Sequence, residues 1–136
     1  MITIDGADGG GQVLRTALSL SAVTGEAFRM VNIRGQRRKP GLMRQHLTCV
    51  RAAAEICGAK LAGAEIGSRE ITFWPGELRA GRFDFAIGTA GSTSLVLQTV
   101  LPALACAGEA SEIRVAGGTH NPLAPSSDYL QKAYLP

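Results

Sequence analysis

Hydrophobic and polar positions change rhythm several times along this chain, and each change marks an element. Ile2 to Asp5 reads as a short strand that runs into the cluster Gly6-Ala7-Asp8-Gly9-Gly10-Gly11. Beyond it Val13, Leu14, Ala17, Leu18 and Ser21 recur at helical spacing until Gly25, a natural stop because glycine adopts the left-handed turn that closes a helix. Phe28 to Ile33 alternates as a strand, and the basic loop Arg34 to Lys39 leads through Pro40 into a second helix. That helix carries Met43, Leu47, Val50, Ala54 and Cys57 on an inner face and Arg44, Thr48, Arg51 and Glu55 on an outer one, and Gly58 closes it. Two more strands, about Lys60 to Ile66 and Glu70 to Trp74, precede the turn Pro75-Gly76.

The order starts again at Gly81. Phe83 to Ile87 predicts a strand, Gly88-Thr89-Ala90-Gly91 a glycine turn, Ser92 to Ala107 an apolar helix ending at Gly108, and Ile113 to Ala116 another strand. Gly25-Glu26-Ala27 recurs as Gly108-Glu109-Ala110, and the interval from Arg29 to Pro40 recurs from Arg114 to Pro125, an offset of about 83 to 85 positions. The expected fold class is α/β of the two-layer α+β kind, with repeated βαβαββ units whose helices pack on one face of small mixed sheets. Residues 1–78 are expected to form the first unit and residues 81–136 an incomplete second unit of the same domain. The second unit reaches Pro136 with its second helix only begun near Ser126, so its sheet would lack two strands and leave an edge unpaired. The pattern predicts a fragment, or a chain completed by a partner piece or by another copy of itself.

Composition narrows the function classes. At 46% hydrophobic and 18% charged the chain is not a disordered one, and no apolar run approaches the roughly 18 residues that a membrane span requires. The amino terminus lacks the basic, apolar and small-residue order of a secretory signal, so the expected location is cytoplasmic, with no membrane partner. Cys49, Cys57 and Cys106 have no C-x-x-C spacing and read as three buried thiols. Net charge is only +3, yet no acidic residue lies between Glu26 and Glu55, while Arg29, Arg34, Arg37, Arg38, Lys39, Arg44 and Arg51 all do. Such a block either attracts phosphates and acidic surfaces or is a solvated loop.

The chemistry-bearing candidates cluster near that block. Asp8-Gly9-Gly10-Gly11-Gln12 joins a strand to a helix, where backbone N–H groups can cradle an anion, and Arg15 lies one turn further on. Asp8, the one carboxylate of the turn, suits either a divalent metal carried on phosphate oxygens or a cap for the helix. Neither a phosphate-loop nor a dinucleotide fingerprint is present, and His46 and His120 lack metal-site spacing. His46 follows Arg44 and Gln45 and either extends the anion-facing surface or serves as a neutral, capping histidine. Gln98 is polar within an apolar helix, and Pro102 cannot donate to its carbonyl, so the spot is either a functional polar site or a satisfied buried amide. Aromatic residues, at 5%, do not interleave with the basic loop, which counts against a base-stacking platform.

Several blocks together carry a resemblance. Ile4-Asp5-Gly6-Ala7, Gly9-Gly10-Gly11-Gln12-Val13-Leu14-Arg15, Pro40-Gly41-Leu42, Arg44-Gln45-His46-Leu47, Ala53 to Ala59, Ile87 to Ser92, Leu95 to Thr99 and Gly117-Gly118-Thr119 closely resemble the RNA 3'-terminal phosphate cyclases, along the whole chain and in order. The resemblance implies three βαβαββ units with a smaller inserted domain. It also implies an ATP-dependent ligase-type activity in RNA processing and repair, which converts an RNA 3'-phosphate into a 2',3'-cyclic phosphodiester. A histidine attacks the α-phosphate of ATP, AMP passes to the RNA 3'-phosphate, and the 2'-hydroxyl displaces AMP. Implied partners are ATP, RNA with a 3'-phosphate end, and a divalent metal, magnesium or manganese. Arg34, Arg37, Gln45 and His46 match phosphate-site positions, with Arg38 beside them. Gln12, Arg15 and Gln98 match positions near the nucleotide phosphates, and Pro125 one near the adenine. Asp8 stands where the family has a metal-binding glutamate, in a turn about two residues shorter. The nucleophilic histidine belongs to a later part of longer family chains, and neither His46 nor His120 matches it. Two alternatives stand beside this reading, and the matched residues speak against both: a non-catalytic, cyclase-like ribosome-assembly protein that binds RNA, and an enolpyruvyl transferase, which shares the repeated architecture.

Overall fold

The computed structural model describes residues 1–86 and 93–116. In chain order its elements are β1 (Ile2–Asp5), α1 (Gly11–Thr24), β2 (Phe28–Val31), α2 (Arg44–Cys57), β3 (Lys60–Ala62), β4 (Ile71–Trp74), β5 (Arg82–Ala86), α3 (Thr93–Ala105) and β6 (Glu112–Ala116). The turn at 88–91, Ser92, Gly117-Gly118-Thr119, His120, Pro125 and the helix expected near Ser126 lie outside the described residues.

Strands β1 and β2 are parallel, with Ile2 beside Phe28 and Asp5 beside Val31, so a crossover must join them and α1 supplies it. Strand β4 runs antiparallel to both β2 and β3, which completes a mixed sheet in the order β1-β2-β4-β3. Alternation decides its faces: Phe28 and Met30 of β2 and Ile71 and Phe73 of β4 are buried, while Arg29 between them is exposed and pairs with Glu70. Helices α1 and α2 pack together, and Leu14, Leu18, Leu47, Val50 and Ile56 meet the apolar sheet face in one core. This is the expected two-layer α/β arrangement.

Strands β5 and β6 repeat the opening pattern. They pair in parallel across α3, which packs against both α1 and α2 and buries Val96, Val100, Ala103 and Leu104. Phe83 and Phe85 face this core, while Arg82 pairs with Glu112 and Asp84 with Arg114 on the outside.

Three expectations need correction. Strand β2 ends at Val31 rather than Ile33, because Asn32 and Arg34 adopt positive φ of 52° and 50° and turn the chain away from the sheet. Strand β3 ends at Ala62 rather than near Ile66, because Gly63 turns the backbone with φ of 78°. Cys106 is exposed in the turn after α3, whereas Cys49 and Cys57 are buried, and all three are free thiols.

Candidate functional site

The glycine turn exists to let side chains approach the start of a helix. Gly10 is the N-cap of α1 and Gly11 its first residue, with neither a side-chain cap nor an acidic residue in the first turn. The helix therefore presents its partial positive end without a carboxylate to offset it. A Cβ on Gly10 would lie 2.6 Å from Arg37 Nη2, and one on Gly11 would lie 2.7 Å from both Arg15 Nη1 and His46 Nε2. Three nitrogen-bearing side chains, from α1, from the basic loop and from α2, thus converge on two adjacent glycines.

His46 reaches this point from the first turn of α2. Its Nδ1 accepts a 3.0 Å hydrogen bond from the Met43 N–H, so the neutral ring carries its proton on Nε2, the atom beside Gly11. Burial, then Arg34 and Arg15 nearby, push its pKa from 6.5 down to about 4. At neutral pH His46 is an uncharged donor set between arginines. The ring caps α2 through Nδ1 while its Nε2 lies beside Gly11.

Arg15 is half-buried. Burial lowers its pKa, and its Nε has no hydrogen-bond partner among the described residues, while Nη2 donates to Gln12 Oε1 at 3.1 Å. Gln12, Arg15, Thr16, Ser19, Gln98 and Pro102 line a cleft of about 220 Å³ between α1 and α3, so Gln12 and Arg15 face the same space as Gln98. Gln98 is half-buried and faces this cleft, as its helix position beside Pro102 suggests.

The basic loop divides its labour. Arg34 Nη1 donates to the carbonyls of Lys39 at 2.6 Å and Gly41 at 2.9 Å, which closes the loop on itself. Burial, and then Arg37, lower its pKa. Arg37 and Arg38 are exposed, and Gln45 is half-buried at the start of α2. Among the described residues no ion pair engages Arg15, Arg34, Arg37, Arg38 or Arg44. Part of the basic block is nevertheless structural, since Arg29 is committed to Glu70.

Asp8 does not cap α1; Gly10 occupies that position. Its Oδ1 instead accepts a 2.7 Å hydrogen bond from Gln36 Nε2. No group of three or more metal-ligating side chains occurs among the described residues, so Asp8 could supply one hard oxygen to a cation whose other ligands were phosphate oxygens and water. Sequence reading missed Gln36, because nothing in a neutral residue within a basic loop announces a partner 28 positions earlier.

The family model for RNA 3'-terminal phosphate cyclase matches residues 7–136. A protein named RNA 3'-terminal phosphate cyclase from Pseudomonas fluorescens is 60% identical over 136 residues, all of this chain and 40% of that protein. One of the same name from Ectopseudomonas mendocina is 58% identical over 135 residues, 99% of this chain and 40% of its own length. Another from Salmonella typhimurium is 57% identical over 138 residues, 100% of this chain and 41% of its own length. The chain spans about 40% of the length of these relatives, and it belongs to the RNA 3'-terminal phosphate cyclase family.

Proposed function

We propose that this chain forms the phosphate- and nucleotide-facing portion of an enzyme that uses ATP to convert an RNA 3'-phosphate into a 2',3'-cyclic phosphodiester. The observation that carries the reading is the convergence of Arg37, Arg15 and the His46 Nε2–H on the uncapped start of α1, with no carboxylate paired to the arginines among the described residues. A terminal phosphate carries more negative charge than an internal diester, and a site of fixed N–H donors and guanidinium groups favours it.

In this reading Arg37, Arg38, Arg34, Gln45 and His46 bind and orient the RNA phosphate. Gln12, Arg15 and Gln98, in the cleft between α1 and α3, hold the nucleotide phosphates, and the adenine-side role that the resemblance implies goes to Pro125, outside the described residues. A divalent metal, magnesium or manganese, would offset phosphate charge when bound, with Asp8 as its protein ligand. Adenylylation of the 3'-phosphate gives the neighbouring 2'-hydroxyl a leaving group to displace. The residues of this chain hold the crowded charge and keep the 2'-hydroxyl and phosphorus aligned. His46 is unsuited to carry AMP, because the nitrogen facing the site holds a proton and its basicity is depressed. The nucleophilic histidine is assigned to a part of the protein beyond this chain, and the setting is a cytoplasmic enzyme of RNA processing and repair.

The test uses the full-length protein with ATP, a divalent metal and an RNA ending in 3'-phosphate. Phosphatase-resistant cyclic ends should form only with ATP, and Arg37→Ala should reduce their rate by roughly tenfold or more. ATP-independent product, or none, would contradict the reading. Labelled AMP transferred covalently to this chain alone would overturn the assignment of the nucleophile.

A further inference from the structure

Arg37 has to be held in place by something other than its own contacts. It is exposed, and among the described residues no hydrogen bond from its guanidinium group and no ion pair is found, yet that group lies over Gly10. A long side chain without partners samples many rotamers, so its placement depends on where the backbone beneath it is fixed.

That backbone is fastened at two ends. On the far side, Arg34 Nη1 binds the carbonyls of Lys39 and Gly41, and the Arg37 N–H donates to the Arg34 carbonyl at 3.0 Å, which gives the loop its own shape. On the near side the loop is tied to the glycine turn through Gln36. Its side-chain Nε2 donates to Asp8 Oδ1 at 2.7 Å, and its backbone N–H donates to the Ala7 carbonyl at 3.3 Å. Among the described residues these two are the hydrogen bonds that join residues 34–39 to residues 6–11. Gly35 permits the approach, since a Cβ there would already lie 3.1 Å from the Asn32 carbonyl and 3.5 Å from Ala7 Cα.

We propose that Gln36 is a positioning residue: its amide on Asp8 clamps the basic loop to the glycine turn and so holds the Arg37 guanidinium over the start of α1. The inference rests on the reading of this turn as the RNA-end site, and it adds a residue that makes no contact with the phosphate itself. The clamp uses a carboxylate acceptor, which makes it stronger than a neutral hydrogen bond, while exposure to water limits it.

The experiment measures the affinity of the full-length protein for a short RNA ending in 3'-phosphate and for the same RNA ending in 3'-hydroxyl, in wild type, Gln36→Ala, Arg37→Ala and the double variant. Gln36→Ala should weaken the 3'-phosphate RNA by roughly three- to tenfold and leave the 3'-hydroxyl RNA unchanged. In the Arg37→Ala background it should have almost no further effect, because the group it positions is gone. An unchanged 3'-phosphate affinity, or a loss that simply adds to that of Arg37→Ala, would overturn the proposal. If wild type does not distinguish the two ends, the RNA-end reading itself fails. Amide exchange over residues 35–38 then decides the clamp: faster in Gln36→Ala supports it, unchanged overturns it.

Discussion

Inside a helix alanine is ordinarily preferred to glycine by about 1 kcal/mol, but at Gly11, the first residue of α1, the structure argues for the opposite outcome. The missing Cβ leaves room for Arg15 Nη1 and for the imidazole of His46, and the buried ring is the harder of the two to displace. Gly11→Ala is therefore expected to keep a cooperative fold but to lose most of the preference for 3'-phosphate RNA; a competition assay against the 3'-hydroxyl RNA measures it. His46 makes a second prediction at this scale. Its folded pKa of about 4 lies below the 6.5 of an exposed ring, so the unfolded chain binds the extra proton first. The stabilisation is complete above about pH 6.5 and is lost as pH falls toward 4, roughly 2 kcal/mol between pH 7 and pH 5. An NMR titration of the His46 ring should give a midpoint near 4, and urea midpoints at the two pH values should differ less in His46→Gln. At the residue scale the sequence marked the glycine turn with Arg15 as one candidate anion site and left His46 open between extending an anion-facing surface and capping its helix. It did not show which nitrogen faced the turn, because that follows from the Met43 N–H, a backbone group with no signature in residue identity.

For α1 and α2, the stops were more legible than the starts. Gly25 and Gly58 close α1 and α2 in the left-handed conformation, with φ of 76° and 61°, and both glycines are readable because few other residues take it cheaply. A Cβ on Gly25 would meet nothing within 4 Å, so the cost of Gly25→Ala is the backbone conformation alone, about 1 kcal/mol in a urea unfolding midpoint, with Gly25→Asn costing less. The start of α1 was harder to place. Asp8 has the chemistry of a cap, but the turn carries it past the helix to Gln36, and Gly10 takes the N-cap position. The end of β2 was hidden for a similar reason. Asn32 and Arg34 turn left-handed without being glycine, held by the Asn32 bond to Asp5 and by Arg34 across its own loop.

At the level of the whole molecule, the described residues hold three helices that pack together, a four-stranded sheet and a two-stranded one, and the site lies where the turn after β1, the loop after β2 and the start of α2 come together. The repeated order of strand, helix and parallel strand was visible in the sequence because both passes use the same alternation of apolar residues. The tertiary meeting of Arg37, Arg15 and His46 was not, because it depends on how α1 and α2 pack rather than on any local rhythm. Phe73 lies at the middle of the larger sheet, buried and stacked on Phe28 with ring centres 5.6 Å apart. Phe73→Ala is expected to cost about 3–5 kcal/mol, a loss large enough to show as a much lower urea midpoint. The account as a whole turns on whether the converged basic groups recognise a phosphate end rather than RNA in general. The most direct measurement is the affinity of the full-length protein for RNA ending in 3'-phosphate against 3'-hydroxyl at two salt concentrations, with Arg37→Ala alongside. The account predicts a several-fold preference for the phosphate end that survives the higher salt and disappears in Arg37→Ala. Equal affinities that fall together as salt rises would contradict it, since that is the behaviour of a surface attracted only to the backbone charge of RNA.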